Sequence, residues 1–401
     1  MRIGIDARFF GPKQKGLGRY VQRLIEELTE FSIFNFQFSN YKFVIFLRKE
    51  NFNDFQPSNP NFKKVLADWR WYTIAEQLFM PFIIRREKVD LMHFPHFNVP
   101  VFCPTKFVVT IHDLVLKKFP TKRATTLNPP IYKIKELGYK VVLNWAVKRA
   151  QKIITPSNFT KNEILSYFKI KPEKIEVIYE GAPQPNFVLQ NLAGEIRNPK
   201  SEILKKYNIE KPYILYVGNA YPHKNLEGLL RAYSLICANK DANMCEYEGD
   251  VQLVLVGEMD YFYKRLKQLT IQQFNNLTTG KQVVFTGFVS DDELPELYKN
   301  AVLYVSPAFS EGFGLPALEA MNYGLPVAAS GTGAQPEILG KAALYFKPED
   351  IEDMAEKMSI LLKNKNQRKD LIVRGYEQIK KYSWQKMAEE ILKLYKTETV
   401  E

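Results

Sequence analysis

A chain of 401 residues with 46% apolar and 25% charged side chains has the composition of a folded globular protein, and its length suits two domains of roughly 180–200 residues each. Its formal net charge of +12 invites anionic partners, but no nucleic-acid recognition motif is present, so nucleic acid is not expected among them. No apolar run approaches the ~18 residues of a spanning helix, Met1-Arg2-Ile3-Gly4 opens a strand rather than a signal peptide, and Cys103, Cys237 and Cys245 form no CxxC pair, which argues for a reducing, cytoplasmic setting and against structural zinc.

Strands and helices alternate along the chain, which predicts an α/β protein with parallel sheets. Residues 2–6 read as a strand. After a loop over 9–16, Tyr20, Val21, Leu24, Ile25 and Leu28 fall at helical spacing. Further strands are expected at 41–47, 91–93, 107–111 and 153–155, with a basic helix over 131–149. A stretch rich in Pro, Asn and charge then reads as an interdomain connection, with a helix over 200–207 inside it. The second domain restarts at the apolar strand 213–217 and continues through 252–256, 283–286, 303–305 and 327–329, each followed by a helix. An amphipathic helix over 384–396 comes last. The division this suggests is a first domain over 1–185, a linker over 186–211, a second domain over 212–383, and a closing segment over 384–401.

Charge is unevenly placed. Residues 1–185 hold 30 Lys and Arg against 16 Asp and Glu, whereas the remainder holds 26 against 28. The densest part is Lys117-Lys118-Phe119-Pro120-Thr121-Lys122-Arg123, followed by the basic helix with Tyr132, Tyr139 and Trp145. Basic helices carrying aromatics can lie on anionic bilayers; a solvated face wrapped on a core gives the same pattern.

The most informative stretch is Ser310-Glu311-Gly312-Phe313-Gly314-Leu315-Pro316-Ala317-Leu318-Glu319-Ala320-Met321. Pro is tolerated in the first helical turn, where its missing N–H would be unpaired anyway, so a helix is expected over 315–322 with Gly312-Phe313-Gly314 as the loop feeding it. That geometry points free backbone N–H groups and the positive end of a helix dipole at an anion. Glu311 just before the helix and Glu319 about one turn inside it would accept hydrogen bonds from hydroxyls. A sugar nucleotide offers hydroxyls on both sugar and ribose; two solvated glutamates are the plainer reading.

Other candidates also follow strands, where ligands of open α/β sheets gather. Gly16-Leu17-Gly18-Arg19-Tyr20 would present N–H groups to a diphosphate, or be an ordinary turn. In Gly218-Asn219-Ala220-Tyr221-Pro222-His223-Lys224-Asn225, Lys224 could neutralise a diphosphate as a point charge, or be a surface lysine. His93, His96 and His112 could suggest zinc, but no carboxylate or thiol completes a ligand set, so no metal site is expected.

The Glu-(seven residues)-Glu segment resembles the signature of retaining family 4 glycosyltransferases, and the resemblance runs along nearly the whole chain. The opening residues with Gly18-Arg19-Tyr20 are similar to the mannosyltransferase branch. The resemblance implies a GT-B fold: two Rossmann-like domains, acceptor-binding then donor-binding, with parallel sheets facing each other across a cleft, and a last helix crossing back onto the first domain. It implies transfer of a hexose, best matched by mannose from GDP-mannose, from a nucleotide diphosphate sugar to a glycan or lipid-linked saccharide in cell-surface polysaccharide synthesis. Lipid-linked acceptors would bring the protein to the inner face of the cell membrane. His112 in Thr110-Ile111-His112-Asp113 matches the family histidine that meets the donor sugar. Gly16 and Gly18 match its first glycine loop, and Phe288 the residue packed on the nucleobase, although a core role suits Phe288 equally. The implied donor set is Gly16, Gly18, Asn219, His223, Lys224, Phe288, Glu311, Gly312, Phe313, Gly314, Leu315 and Glu319, with His112, Lys224 and Glu311 catalytic. Asn219 and His223 stand where the family often places a second cation, so either His223 serves or Lys224 carries more of the charge.

Catalysis at an anomeric carbon needs cations and N–H donors aimed at the departing phosphate. A Glu319 on the ribose could not also be a glycosidase-type nucleophile. The family's retention is explained by same-face attack, with the leaving phosphate accepting the acceptor's proton. No cofactor or metal is needed, in keeping with the lack of an Asp-x-Asp motif. Two other readings are a sugar-nucleotide epimerase on the same fold and a non-catalytic sugar-nucleotide-binding protein.

Overall fold

Runs of Ile, Val, Leu and Phe three to six residues long form parallel strands, and the longer stretches between them form helices. A computed structural model describes residues 1–34, 40–119, 129–182, 201–210, 212–238, 251–273 and 282–400. The chain divides into two units, one of Met1–Leu114, Leu127–Gly181 and Ser383–Glu401, the other of Val115–Thr126 and Ala182–Tyr382.

The first unit holds a seven-stranded sheet. Its strands are β1 (Arg2–Asp6), β2 (Lys42–Leu47), β3 (Phe62–Leu66), β4 (Leu91–Phe94), β5 (Lys106–Thr110), β6 (Ile153–Thr155) and β7 (Ile175–Val177), in the order β3-β2-β1-β4-β5-β6-β7 with every pair parallel. Both faces are covered, which is why β1, β4 and β5 are nearly continuous apolar runs. On one face the helix Lys15–Phe34 and the closing helix Trp384–Val400 bury Tyr20, Leu24, Leu28, Ile391 and Tyr395. On the other, the helices Ile74–Arg86 and Pro129–Arg149 contribute Met80, Ile84, Leu143 and Val147.

The second unit holds a six-stranded parallel sheet of β8 (Tyr213–Val217), β9 (Gln252–Val256), β10 (Val283–Gly287), β11 (Leu303–Ser306), β12 (Val327–Ser330) and β13 (Ala343–Phe346). The order β10-β9-β8-β11-β12-β13 is the doubly wound 3-2-1-4-5-6 arrangement, which reverses direction between its first and fourth strands. Leu229 and Tyr233 of the helix Leu226–Ala238 pack with Met354, Met358 and Leu361 of the helix Ile351–Lys363 in its core. These two Rossmann-like units define the GT-B architecture.

Three strands escaped the sequence reading. In β3 two lysines interrupt the apolar run, and β7 and β13 are only three and four residues long. Part of the expected linker is also not a linker. Residues 183–200 and 211 lie outside the described residues, but the helix Glu202–Lys206 belongs to the second unit. Leu204 and Ile209 are buried, Lys206 Nζ donates to Glu293 Oε1 at 2.6 Å, and the Tyr207 hydroxyl donates to Glu293 Oε2 at 2.8 Å. Of the basic stretch after Lys117, Pro120, Thr121, Lys122 and Arg123 lie outside the described residues.

Candidate active site

In the second unit the loops after β8 and β11 leave the sheet side by side at its switch point, where open α/β sheets bind ligands. Lys224 ends the turn Pro222–Lys224, and Asn225 follows with φ 56°. The Asn225 amide Nδ2 donates to the carbonyls of Pro307 (3.2 Å) and Pro348 (2.7 Å), while the Phe309 N–H donates to the His223 carbonyl at 2.8 Å. These bonds stitch the two loops together and bring the Lys224 ammonium onto Glu311 Oε1 at 2.5 Å, with side chains 16% and 19% exposed. The pair sets a cation and a carboxylate in contact where the two loops meet.

Glu311 is also braced from the far side. The loop after β12 turns at Gly333, φ +68°, pressed against the Glu311 backbone, and the Ala334 N–H donates to the Glu311 carbonyl at 3.0 Å. Gly314 takes φ 93° and starts the helix Leu315–Asn322 with Pro in its first turn, as the sequence predicts; a β-carbon is disfavoured in this left-handed conformation. Glu319, inside that helix, accepts a 2.8 Å hydrogen bond from the Tyr298 hydroxyl. Gly312 is buried and Leu315 partly buried. Phe313 is 4% exposed with its ring edge on Tyr382, so its side chain is a core residue and only its backbone remains for a ligand. Asn219 is used in its own turn, its side chain accepting from the Tyr221 N–H and its carbonyl from the Tyr216 hydroxyl. Burial and the adjacent Lys224 charge push the His223 pKa down to about 3. His223 is therefore a neutral imidazole at pH 7, and Lys224 is the cation of this pair. Phe288 stands 65% exposed beyond β10, which rules out the core role for it.

In the first unit the helix starts at Lys15, so Gly16 and Gly18 lie in its first turn. Gly16 faces open space, whereas a β-carbon at Gly18 would strike the carbonyl oxygens of Gly11 and Phe9. Gly18 is thus required by the packing of its own preceding loop. His112, in the loop after β5, donates from Nδ1 to Glu180 Oε1 at 2.9 Å and from Nε2 to the Pro95 carbonyl at 3.0 Å, and Tyr20 meets its ring edge-on. Both partners are acceptors, so both nitrogens carry protons. Burial alone would lower this pKa, but Glu180 and the Pro95 carbonyl outweigh it and raise it. His112 is a held imidazolium with no free lone pair for base chemistry.

His93 bridges the Tyr395 hydroxyl (Nδ1, 2.5 Å) and Thr110 Oγ1 (Nε2, 2.8 Å), and His96 sits among the rings of Phe9, Tyr72 and Phe97. His93 therefore satisfies the core, whereas His96 is only partly buried. Among the described residues no three His, Cys, Asp or Glu converge as a metal set.

Sequence reasoning missed several supporting groups. Glu180 and Tyr298 are ordinary residue types in ordinary contexts, and only folding brings them to His112 and Glu319, as it brings the Pro307 and Pro348 carbonyls to Asn225 beside Lys224. Gly331-Thr332-Gly333 directly after a strand was a readable signal. A buried knot also went unseen: Arg8 donates to both oxygens of Asp6 at 2.7 Å and to Glu76 Oε1, which also accepts from Asn98 at 2.6 Å. With Arg8 wholly buried, breaking either pair would strand a charge.

Fold and loops together define a GT-B glycosyltransferase. Residues 15–183 match the model for Glycosyltransferase Family 4, and residues 199–378 that for Glycosyl transferases group 1; between them they span most of the chain, which belongs to this family. It is 28% identical over 396 residues to O-antigen chain mannosyltransferase B of Escherichia coli, covering 95% of this chain and 96% of that protein. It is 26% identical over 318 residues to the O-antigen chain mannosyltransferase RfbU of Salmonella typhimurium, covering 79% and 76%. Among solved structures, HepE of Anabaena in complex with UDP and glucose superposes with a TM-score of 0.71 at 15% identity, over 99% of this chain and 100% of that one.

Proposed function

We propose that this glycosyltransferase moves mannose from GDP-mannose, with retention of configuration and without a metal ion, onto a saccharide of a growing cell-surface polysaccharide. The observation that carries the reading is the Lys224–Glu311 pair at the switch point of the second sheet, in a chain that matches an O-antigen mannosyltransferase from end to end. Mannose is favoured by that relative and by RfbU.

In this reading the Lys224 ammonium and the N–H groups at the start of the helix Leu315–Asn322 hold the diphosphate, with Gly16 and Gly18 as further candidate donors. The Glu311 carboxylate accepts from sugar hydroxyls, the Gly312 and Gly314 N–H groups donate to sugar oxygens, and Glu319, oriented by Tyr298, accepts from the ribose. Phe288 stacks on the base, and His112 supplies fixed positive charge beside the sugar. The C1–O bond to the β-phosphate breaks, the acceptor oxygen bonds C1 on the same face, and its proton passes to the departing phosphate. Fixed donors lower the barrier because they need no reorganisation as that charge builds. The acceptor is a lipid-linked saccharide, met from the cytoplasmic face of the membrane.

A thermal-shift panel of nucleoside diphosphates tests the donor assignment. A ligand at 100 times its Kd stabilises the folded state by about 2.7 kcal/mol, so GDP should raise the melting temperature and UDP should not. Equal shifts, or a shift with UDP alone, would reject GDP-mannose.

A further inference from the structure

More than half of the large apolar side chains exposed among the described residues lie on two helices and adjoining loops of the first unit. The helix Ile74–Arg86 buries Met80, Ile83 and Ile84, yet its opposite face shows Ile74, Leu78 and Phe82 at 79%, 65% and 69% exposure. Spaced four residues apart, they form a second apolar stripe on one helix. A helix apolar on both faces is ordinarily buried on both. The helix Pro129–Arg149 repeats the pattern with Ile134, Leu137 and Val141 at 72%, 63% and 53%. Phe97 links the two, its ring 6.1 Å from Tyr72 just before the first helix and 5.0 Å from Tyr139 on the second. Phe102 adds a side chain 78% exposed beside Val101, whose N–H is held by Gln77 of the first helix.

Basic residues outnumber acidic ones around these stripes. The two helices carry Arg85, Arg86, Lys133, Lys135, Lys140, Lys148 and Arg149 against Glu76 and Glu136. Glu76 is buried on Arg8 and Glu136 pairs with Lys140. Among the described residues no helix is long and apolar enough to cross a membrane.

We propose that this face docks on an anionic lipid leaflet, the Ile74, Leu78, Phe82 and Ile134, Leu137, Val141 stripes entering the headgroup boundary while the lysines and arginines meet lipid phosphates. Apolar stripes flanked by Lys and Arg have the composition of interfacial helices, and long basic side chains reach headgroups while their stems stay apolar. A second copy of this chain would bring seven basic residues onto seven, and like charge opposes such a self-complementary contact. The inference deepens, and rests on, the lipid-linked-acceptor part of the proposed function; it is independent of which nucleotide is bound.

Full-length protein is sedimented with vesicles of phosphatidylglycerol and phosphatidylethanolamine, and with phosphatidylcholine alone, at 50 and 500 mM salt. Wild type should pellet with the anionic vesicles, and the Ile74→Ser, Leu78→Ser, Phe82→Ser triple variant should bind at least tenfold more weakly even at low salt. Lys133→Gln, Lys135→Gln, Lys140→Gln should weaken low-salt binding and flatten the salt dependence. Both variants change exposed side chains, so melting temperature and nucleoside diphosphate affinity should stay at wild-type values. Loss of vesicle binding with nucleotide binding intact therefore reports on this face alone. Wild type that ignores anionic vesicles, or a triple-Ser variant that binds as wild type does, would overturn the proposal. So would a micromolar wild-type dimer that the triple-Ser variant converts to monomer, which would assign the face to a second copy.

Discussion

Replacing Gly333 by Ala is a severe test of the Lys224–Glu311 geometry, because it touches neither residue's side chain. A β-carbon there would lie 2.8 Å from the Glu311 nitrogen and 3.2 Å from its oxygen, at a backbone φ of +68°. The left-handed conformation costs an L-residue about 1–2 kcal/mol, and crowding in a packed site adds about 1–3 kcal/mol. What the β-carbon meets is backbone rather than a flexible side chain. Restoring an ordinary separation of about 3.5–4.0 Å from the Glu311 nitrogen moves that backbone by roughly 0.7–1.2 Å. A displacement of about 1 Å at a reacting centre costs about 100-fold in rate. GDP-mannose hydrolysis, followed as GDP release, should therefore fall about 100-fold, while GDP affinity by calorimetry, carried by Glu319 and the following helix, should change less than about threefold. Gly138→Ala serves as the control, since nothing stands within 4 Å of its β-carbon position and it should be silent in both assays. Wild-type turnover in Gly333→Ala would show that the bracing of Glu311 is irrelevant to chemistry.

Glu319→Ala should weaken GDP binding by about 1.5–3 kcal/mol in calorimetry, the range for a hydrogen bond to a charged group; unchanged affinity would remove Glu319 from the ribose. Glu311→Gln should lower turnover and leave GDP affinity nearly intact, and a loss of affinity instead would place Glu311 on the nucleotide. Turnover should survive EDTA, and complete loss restored by Mg²⁺ or Mn²⁺ would overturn a diphosphate site built on Lys224 and backbone amides. Glu180→Gln should show a pH-dependent stability loss. The raised His112 pKa stabilises the fold fully below the imidazole's unfolded value and ceases to do so as pH rises through the folded one. The variant should therefore be about 1.5–3 kcal/mol less stable at acidic pH, with the deficit shrinking as pH rises; urea midpoints that differ equally at every pH would show that His112 is not held as an imidazolium.

Much of the architecture was legible because parallel strands buried on both faces are rich in Ile, Val and Leu: β1, β6, β8 and β9 coincide with their expected spans. Pro316 and the glycines before it located the helix Leu315–Asn322. β3 was not legible because Lys63 and Lys64 interrupt its apolar run, and Glu176 interrupts the short β7 in the same way; length alone does not separate them, since three-residue β6 and four-residue β4, β11 and β12 were read. Positions of site residues in the chain could be read, but their physical states could not. His112 looked like a free sugar ligand until Glu180 and the Pro95 carbonyl occupied both nitrogens, and His223 looked like a spare cation until burial beside Lys224 left it neutral. Both states depend on partners far away in sequence or on desolvation, which spacing does not encode. The exposed face of the helix Ile74–Arg86 was hidden for the opposite reason: an apolar run reads as core whether or not anything covers it.

The most direct measurement is the release of GDP from GDP-mannose by the full-length protein, in EDTA, with and without a lipid-linked mannosyl acceptor, comparing wild type with Glu311→Gln and Lys224→Met. Wild type should hydrolyse the donor slowly and release GDP faster with acceptor, forming an α-linked product, while both variants should lose turnover and remain folded. No turnover of GDP-mannose beside ready turnover of a UDP-sugar, an inverted linkage, or full activity in either variant would contradict a retaining mannosyl transfer centred on the Lys224–Glu311 pair.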